Sequence, residues 1–221
     1  MFRVMRTSAS LLTVLFGAAL LLAPQSTTRV QAQDGWISIF DGKSLDGWKV
    51  GENAATFSVQ DGAIVVFGPR AHLFYQGPVQ NHAFTNFEWK ADVMTFPGSN
   101  SGMYFHTEYQ ADGWPSKGYE VQVNNSHTDP IRTGSLYNIV NVMNVSPAKD
   151  NEWFTQHVIV QGKKVTIKVN GMTTVEYTEP AGVQRPADMA GRLLSKGTFA
   201  LQGHDPKSRV HFRNIMVKPL P

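Results

Sequence analysis

Residues 100–108 (NSGMYFHTE), 118–124 (GYEVQVN) and 197–205 (GTFALQGHD) carry the side chains of this chain best able to do chemistry. Side chains on a strand alternate between its two faces. Read that way, Met103 and Phe105, then Tyr119, Val121 and Val123, then Phe199 and Leu201 form apolar faces. The opposite faces carry Tyr104, His106 and Glu108; Glu120, Gln122 and Asn124; and Ala200, Gln202 and His204. Laid side by side in one sheet, such strands gather histidines, a carboxylate and carboxamides on one face. Imidazole titrates near neutrality, burial or a like charge can raise a carboxylate towards it, and carboxamides both donate and accept hydrogen bonds. The combination points to a small-molecule site. Glu120 and His106 are the candidate bases and His204 the candidate acid. Glu120, His106 and His204 together are also a candidate ligand set for a divalent metal acting as Lewis acid, although no HExxH-like spacing is present.

The elements that must position these residues read as short strands separated by turns. Segments 36–40, 56–60, 63–67, 84–96, 156–161, 164–169, 173–177 and 211–217 are rich in apolar, β-branched and aromatic residues. Asp61-Gly62 between two such runs is a hairpin signal, and Gly162 and Asn170-Gly171 mark further turns. No long window shows a helical period, and 185–194 reads as one helical turn or a loop. Many strands with almost no helix predict an all-β fold, a jelly-roll sandwich of two antiparallel sheets with one concave face. Loops at 112–118 and 124–135 adjoin the Glu120 strand and are expected to wall the site.

Composition narrows the setting. Arg3 and Arg6 precede an apolar run over 11–23, and residues 30–32 (VQA) end in a small residue. This predicts a secretory signal peptide over 1–32, a single domain over 33–221, and a periplasmic or secreted location with no membrane span in the mature chain. The whole chain has 20 Lys and Arg against 17 Asp and Glu. Arg3, Arg6 and Arg29 lie in the leader, which holds no acid, so the mature balance is 17 against 17. No basic stripe suggests nucleic acid. There is no cysteine, so no disulfide supports the fold.

Several motifs occur in an order that resembles the 3-keto-disaccharide hydrolase domain family. They are residues 40–48 (FDGKSLDGW), 100–106, 118–122, 133–137 (TGSLY), Glu152-Trp153, 169–171 (VNG), 201–204 (LQGH) and 212–215 (FRNI). The resemblance covers essentially the whole mature chain and implies a concanavalin-like jelly roll. It departs from the family's usual pattern at His106, Asn124 and Phe154. It implies a carbohydrate partner, a glycoside already oxidised to a ketone at C3. That ketone acidifies the C2 proton, so a base can remove it and the enolate can expel the C1 substituent; water then adds. In this frame His204 serves as acid or enolate stabiliser. Gln122, Gln202 and Asn124 are the hydroxyl-binding candidates. Tyr104 or Trp114 stacks on the ring, and Arg132 anchors a polar substituent or the enolate. The alternative is a non-catalytic carbohydrate-binding module of the same fold. A classical glycosidase would instead need two facing carboxylates.

Overall fold

A computed structural model describes residues 33–221 and the first two residues; the expected leader otherwise lies outside the described residues. The described strands, in chain order, are β1 (Ile37–Ser38), β2 (Trp48–Val50), β3 (Phe57–Gln60), β4 (Ala63–Phe67), β5 (Ala71–Tyr75), β6 (Phe87–Thr95), β7 (Ser101–Thr107), β8 (Tyr119–Val123), β9 (Phe154–Gln161), β10 (Lys164–Val169), β11 (Met172–Thr178), β12 (Thr198–Gly203) and β13 (Arg209–Pro219). They form two antiparallel sheets. One has the order β11-β10-β9-β6-β13-β4-β3, with β1 beside β13; the other has the order β2-β5-β12-β7-β8. The expected all-β sandwich is what the chain adopts, and its only helices among the described residues are short 3-10 turns. No helix among them is long and apolar enough to cross a membrane.

Local chemistry sets these elements. Asp61 and Gly62 have φ of 49° and 76°, and Asn170 and Gly171 have 49° and 80°. Positive φ at both central residues matches the twist of a tight hairpin, and Asn or Asp followed by Gly tolerates it best. On β6, Phe87, Trp89, Ala91 and Val93 point inward while Glu88, Lys90 and Asp92 stay partly exposed. The inner faces of the two sheets form a common core, in which Phe199 stacks between Phe84 (4.5 Å) and Trp89 (4.3 Å).

The five-stranded sheet differs in one respect. Its strands β5, β7, β8 and β12 are buried at every position. One face lies on the core and the other lies under loops. The chain segments from 108 to 118, 124 to 150 and 180 to 196 supply most of that cover. Strand β5 (AHLFY) was not expected from the sequence, because a strand buried on both faces shows little polar alternation.

Candidate functional site

Strands β12, β7 and β8 are neighbours, as the alternation of the three polar segments required. Tyr104 pairs with Glu120 and with Ala200, while Gly102 pairs with Gln122. The polar face of these strands forms the floor of a cavity of about 230 Å³ lined by Asn100, Tyr104, Trp114, Glu120, Gln122, Tyr137, Arg192, Gln202 and His204. Gly102 makes the floor possible. A Cβ there would overlap Glu120 Oε1. Its missing side chain lets the Glu120 carboxylate reach across β7 towards Gln202 on β12.

Glu120 is 5% exposed and fully engaged on its inner side. Tyr104 Oη donates to Glu120 Oε2 at 2.8 Å, and Gln202 Nε2 donates to Glu120 Oε1 at 3.0 Å. The same Gln202 Nε2 lies 2.9 Å from Tyr104 Oη. Arg192 Nη2 stands 3.7 Å from Glu120 Oε2, with its guanidinium 5.4 Å from the Tyr104 ring centre. Burial raises the Glu120 carboxyl above its ordinary value, and the Arg192 charge with the two hydrogen bonds offsets part of that rise. Around the cavity, Arg192 Nη1, Gln202 Oε1 and Asn100 Oδ1 are buried without a partner. Unpaired buried polar atoms are costly. Arg192, Gln202 and Asn100 all line the cavity, so this unmet hydrogen-bonding capacity lies at its wall.

His204 stands at the wall beside a carboxylate. Its Nδ1 lies 2.8 Å from Asp205 Oδ2. Burial works against ionisation of Asp205, but hydrogen bonds from Ser208, His204 and the Lys207 N–H hold its carboxyl down to about 2. The anion therefore favours a proton on His204 Nδ1 and leaves Nε2 as the working nitrogen. Trp114 lies 5.4 Å from the His204 ring and His127 lies 5.5 Å from it. Among the described residues, His127, His204 and Asp205 are the group with the composition of a metal site, their ligand atoms within 4.8 Å of one another. Asp205 is already committed, however. Its Oδ1 accepts from the N–H groups of Lys207 (2.8 Å) and Ser208 (3.2 Å), and Oδ2 accepts from Ser208 Oγ at 2.6 Å as well as facing His204. It is placed to orient His204 rather than to take an ion.

Of the expected site residues, Glu120, His204, Tyr104, Gln122, Gln202 and Trp114 line the cavity. Three do not. His106 has φ of 56°, where β7 loses register with β12 between Thr198 and Phe199. This bulge turns the imidazole against the rings of Phe87 (5.6 Å) and Phe105 (5.4 Å). Its Nε2 lies 2.9 Å from Thr85 O, and its Nδ1 accepts from the Ser195 N–H at 3.2 Å. Burial is the main cause that pushes its pKa down to about 4, so it is neutral and internal. The triad Glu120, His106 and His204 therefore cannot converge on one ion. Asn124 is fully buried and organises a loop: its Nδ2 donates to the carbonyls of Asp129 (3.0 Å) and Ile131 (2.8 Å), and its Oδ1 accepts from the His127 N–H. Arg132 is held in the same loop, its Nη1 donating to Asn124 Oδ1, His127 O and Asp129 O. The loop at 124–135 thus reaches the site through His127 rather than through Arg132. Glu108, expected on the polar face, is exposed and pairs with Lys117 at 3.1 Å.

Four contributors, Asn100, Arg192, Tyr137 and His72, were given no site role from the sequence. Arg192 sits in a segment without periodicity. Tyr137 carried no chemical signal apart from its motif. His72 comes from β5, opposite Gln202 in register, with its ring 5.4 Å from Tyr104 and 5.6 Å from Trp114. Burial, first among its causes, pushes the His72 pKa down to about 3.

A family model described as the 3-keto-alpha-glucoside-1,2-lyase-like domain matches residues 35–218. A 3-keto-disaccharide hydrolase of Bacteroides thetaiotaomicron is 24% identical over 258 aligned positions, spanning 96% of this chain and 88% of the relative. Among solved structures, a candidate glycosyl hydrolase from Parabacteroides distasonis superposes with a TM-score of 0.71 at 21% identity, covering 85% of this chain and 95% of its own. A carbohydrate-binding module from Bacillus subtilis superposes with a TM-score of 0.56 at 12% identity, covering 78% of this chain and 95% of its own. At such identities the structural likenesses speak for the fold.

Proposed function

The chain belongs to the 3-keto-alpha-glucoside-1,2-lyase-like domain family, a carbohydrate-active family, and on that premise we propose that it cleaves 3-keto-glycosides by elimination across C1 and C2. The observation that carries this reading is Glu120, a buried carboxylate in the cavity floor with the Arg192 guanidinium, also lining the cavity, 3.7 Å from it. The cavity, at about 230 Å³, is small against the roughly 300–1,000 Å³ of drug-sized ligand sites. It suits a single sugar ring, with the leaving group directed past Trp114, which is 44% exposed.

In this reading Glu120 takes the C2 proton, its basicity raised by burial. The electron pair moves into the C2–C3 bond and charge develops on the C3 oxygen, where Arg192 stabilises it. The enolate collapses, a C1–C2 double bond forms, and the C1–O bond breaks. His204 enters the step doubly protonated, with Nδ1–H held by Asp205, and gives the Nε2 proton to the departing oxygen. Hydration reverses the two proton transfers. His204 takes a proton from water as it adds at C1, and Glu120 returns one to C2, so both groups regain their starting states. Gln202, Asn100 and Gln122, which line the cavity, are the partners for sugar hydroxyls.

The test is incubation of the purified protein with a 3-keto-disaccharide beside the unoxidised sugar, with products read by mass spectrometry. Release of 3-keto-glucose or its unsaturated 2-hydroxy form from the oxidised sugar alone supports the reading. Equal cleavage of both sugars, or cleavage of neither, overturns it. A divalent ion supplied to the protein would bind at the His127 and His204 nitrogens. Turnover lost to EDTA and recovered on adding metal would show that a metal takes part, and loss of that recovery in His127→Ala would place it there.

A binding module without catalysis is the second reading. It is favoured by the hydrogen bonds that Glu120 already accepts from Tyr104 and Gln202. A binder keeps sugar affinity and shows no product. A classical glycosidase is less well supported, since among the described residues Glu120 is the sole carboxylate lining the cavity. The leader-like sequence at 1–32 supports export, which detection of a processed chain beginning at Gln33 would test.

A further inference from the structure

The chain between β11 and β12 crosses the outer face of the five-stranded sheet and delivers Arg192 to the cavity. Its only regular element is the 3-10 turn Ala187–Met189. It is nonetheless fixed at four residues, Gly191, Arg192, Leu194 and Ser195. The Gly118 N–H donates to Gly191 O at 2.9 Å. Arg185 Nε donates to Arg192 O at 3.0 Å. The Leu194 N–H donates to Glu179 Oε2 at 2.7 Å, and the Ser195 N–H donates to His106 Nδ1 at 3.2 Å. Gly191 passes so close to Ser116 O that any Cβ there would overlap it.

Behind these contacts is a second buried polar cluster, centred on Glu179. Its side chain is 3% exposed. Tyr119 Oη donates to Glu179 Oε2 at 2.6 Å, and Lys163 Nζ pairs with Glu179 Oε1 at 3.0 Å. Arg185 Nη2 donates in turn to Tyr119 Oη (2.8 Å) and Tyr177 Oη (2.7 Å). Burial works against ionisation of Glu179, but the hydrogen bonds from Tyr119, the Leu194 N–H and Lys163 outweigh it and keep the group anionic. None of these residues lines the cavity.

We infer that Glu179, acting through Tyr119 and Arg185, is a positioning residue that holds the 180–196 segment so that Arg192 stays against Glu120. The inference rests on the proposed pairing of Glu120 with Arg192 in the reaction. Strand β8 links the two clusters. Tyr119 and Glu120 are consecutive and point to opposite faces, so one strand anchors the arginine's segment and presents the carboxylate that the arginine faces. A guanidinium on a flexible stem serves a developing charge only if its backbone is fixed, because small misplacements are costly.

The test is a ¹³C titration of the Glu120 carboxyl in the full chain, assigned by its absence in Glu120→Gln. The groups facing Glu120 are Arg192, His204, Tyr104 and Tyr137; of these Arg192 alone is carried by the 180–196 segment. Glu179→Ala is expected to move the Glu120 midpoint up by about 1 unit, as removal of a nearby cation should. Arg192→Ala is expected to move it in the same direction, and the double variant to move it no further than Arg192→Ala does. If Glu179→Ala does not fold, Tyr119→Phe removes only the linking hydroxyl and should give a smaller shift of the same sign. An unchanged midpoint in a folded variant, or additive shifts in the double variant, would overturn the inference. The titration needs no substrate, so an inactive wild-type protein with the expected shifts would count against the proposed reaction and leave the positioning role standing.

Discussion

The outer faces of the two sheets are built from the same alternation and end in different environments. On the eight-stranded sheet the outward side chains pair in contact with water. Asp92 accepts from Thr155 Oγ1 at 2.8 Å and Asn214 Nδ2 at 2.7 Å, Lys164 pairs with Glu176 at 2.7 Å, and Glu88 lies 3.8 Å from Lys218. On the five-stranded sheet Glu120, Tyr104, Gln202 and His72 also point outward, but loops cover them and their burial is nearly complete. Two unit charges at 4 Å interact by about 1 kcal/mol in water and several-fold more at the lower effective dielectric of a protein. Cover, rather than composition, therefore turns one of two polar sheet faces into a place where a carboxylate's proton affinity and an arginine's charge can act on a guest.

Changes on the covered face should matter most. Glu120→Gln removes the proposed base while keeping the shape, and kcat should fall by about 10²–10⁴-fold with sugar affinity retained, as measured by steady-state kinetics beside calorimetric binding. Arg192→Ala should lower kcat by about 10²–10³-fold, the usual size for loss of a donor to a developing oxyanion, with less effect on KM.

Acid should probe the same cover from within. His72 and His106 are buried neutral, with pKa values pushed down to about 3 and about 4. Between those values and the unfolded value near 6.5 the unfolded chain binds more protons than the native one. Their stabilisation is therefore complete above about pH 6.5 and is lost as pH falls towards 4, by roughly 3 kcal/mol per histidine. Urea unfolding at pH 7 and pH 4.5 should show this loss, and His106→Gln should reduce it. Gly102→Ala should cost about 1–3 kcal/mol by overpacking and displace Glu120, so activity should fall further than stability alone explains. At the small end, Lys164→Ala on the open face should leave the melting temperature unchanged, since exposed pairs contribute little. A large drop there would blunt the contrast between the faces.

Much of this contrast was legible in the residues. Alternation in 100–108, 118–124 and 197–205 placed Tyr104, Glu120 and Gln202 on one face, and they meet there by hydrogen bonds. Asp61-Gly62 and Asn170-Gly171 marked their hairpins because few other pairs accept positive φ twice. His106 was misread because a bulge inverts the period within one residue, and nothing in NSGMYFHTE announces it. Arg192 was missed because it lies in an irregular segment, and the contact that brings it into the site, with Glu120 on β8, spans a long sequence separation and leaves no periodic trace. His72 and β5 were missed because a strand covered on both faces loses its polar stripe. Asn124 and Arg132 looked like ligand-binding residues because the side chains that hold a loop are of the same types as those that hold a sugar.

The most direct measurement is turnover of a 3-keto-disaccharide in D₂O, with free 3-keto-glucose as the control for spontaneous exchange. Elimination through C2 predicts the unsaturated product, or a hydrated product that gains deuterium at C2 to the extent that the Glu120 proton exchanges before its return, with turnover slowed when C2 of the substrate carries deuterium and neither product formed by Glu120→Gln. A hydrated product without deuterium at C2, formed at a rate unchanged when C2 of the substrate carries deuterium, would mean that the glycosidic bond breaks while the C2 proton stays in place, contradicting the role given to Glu120.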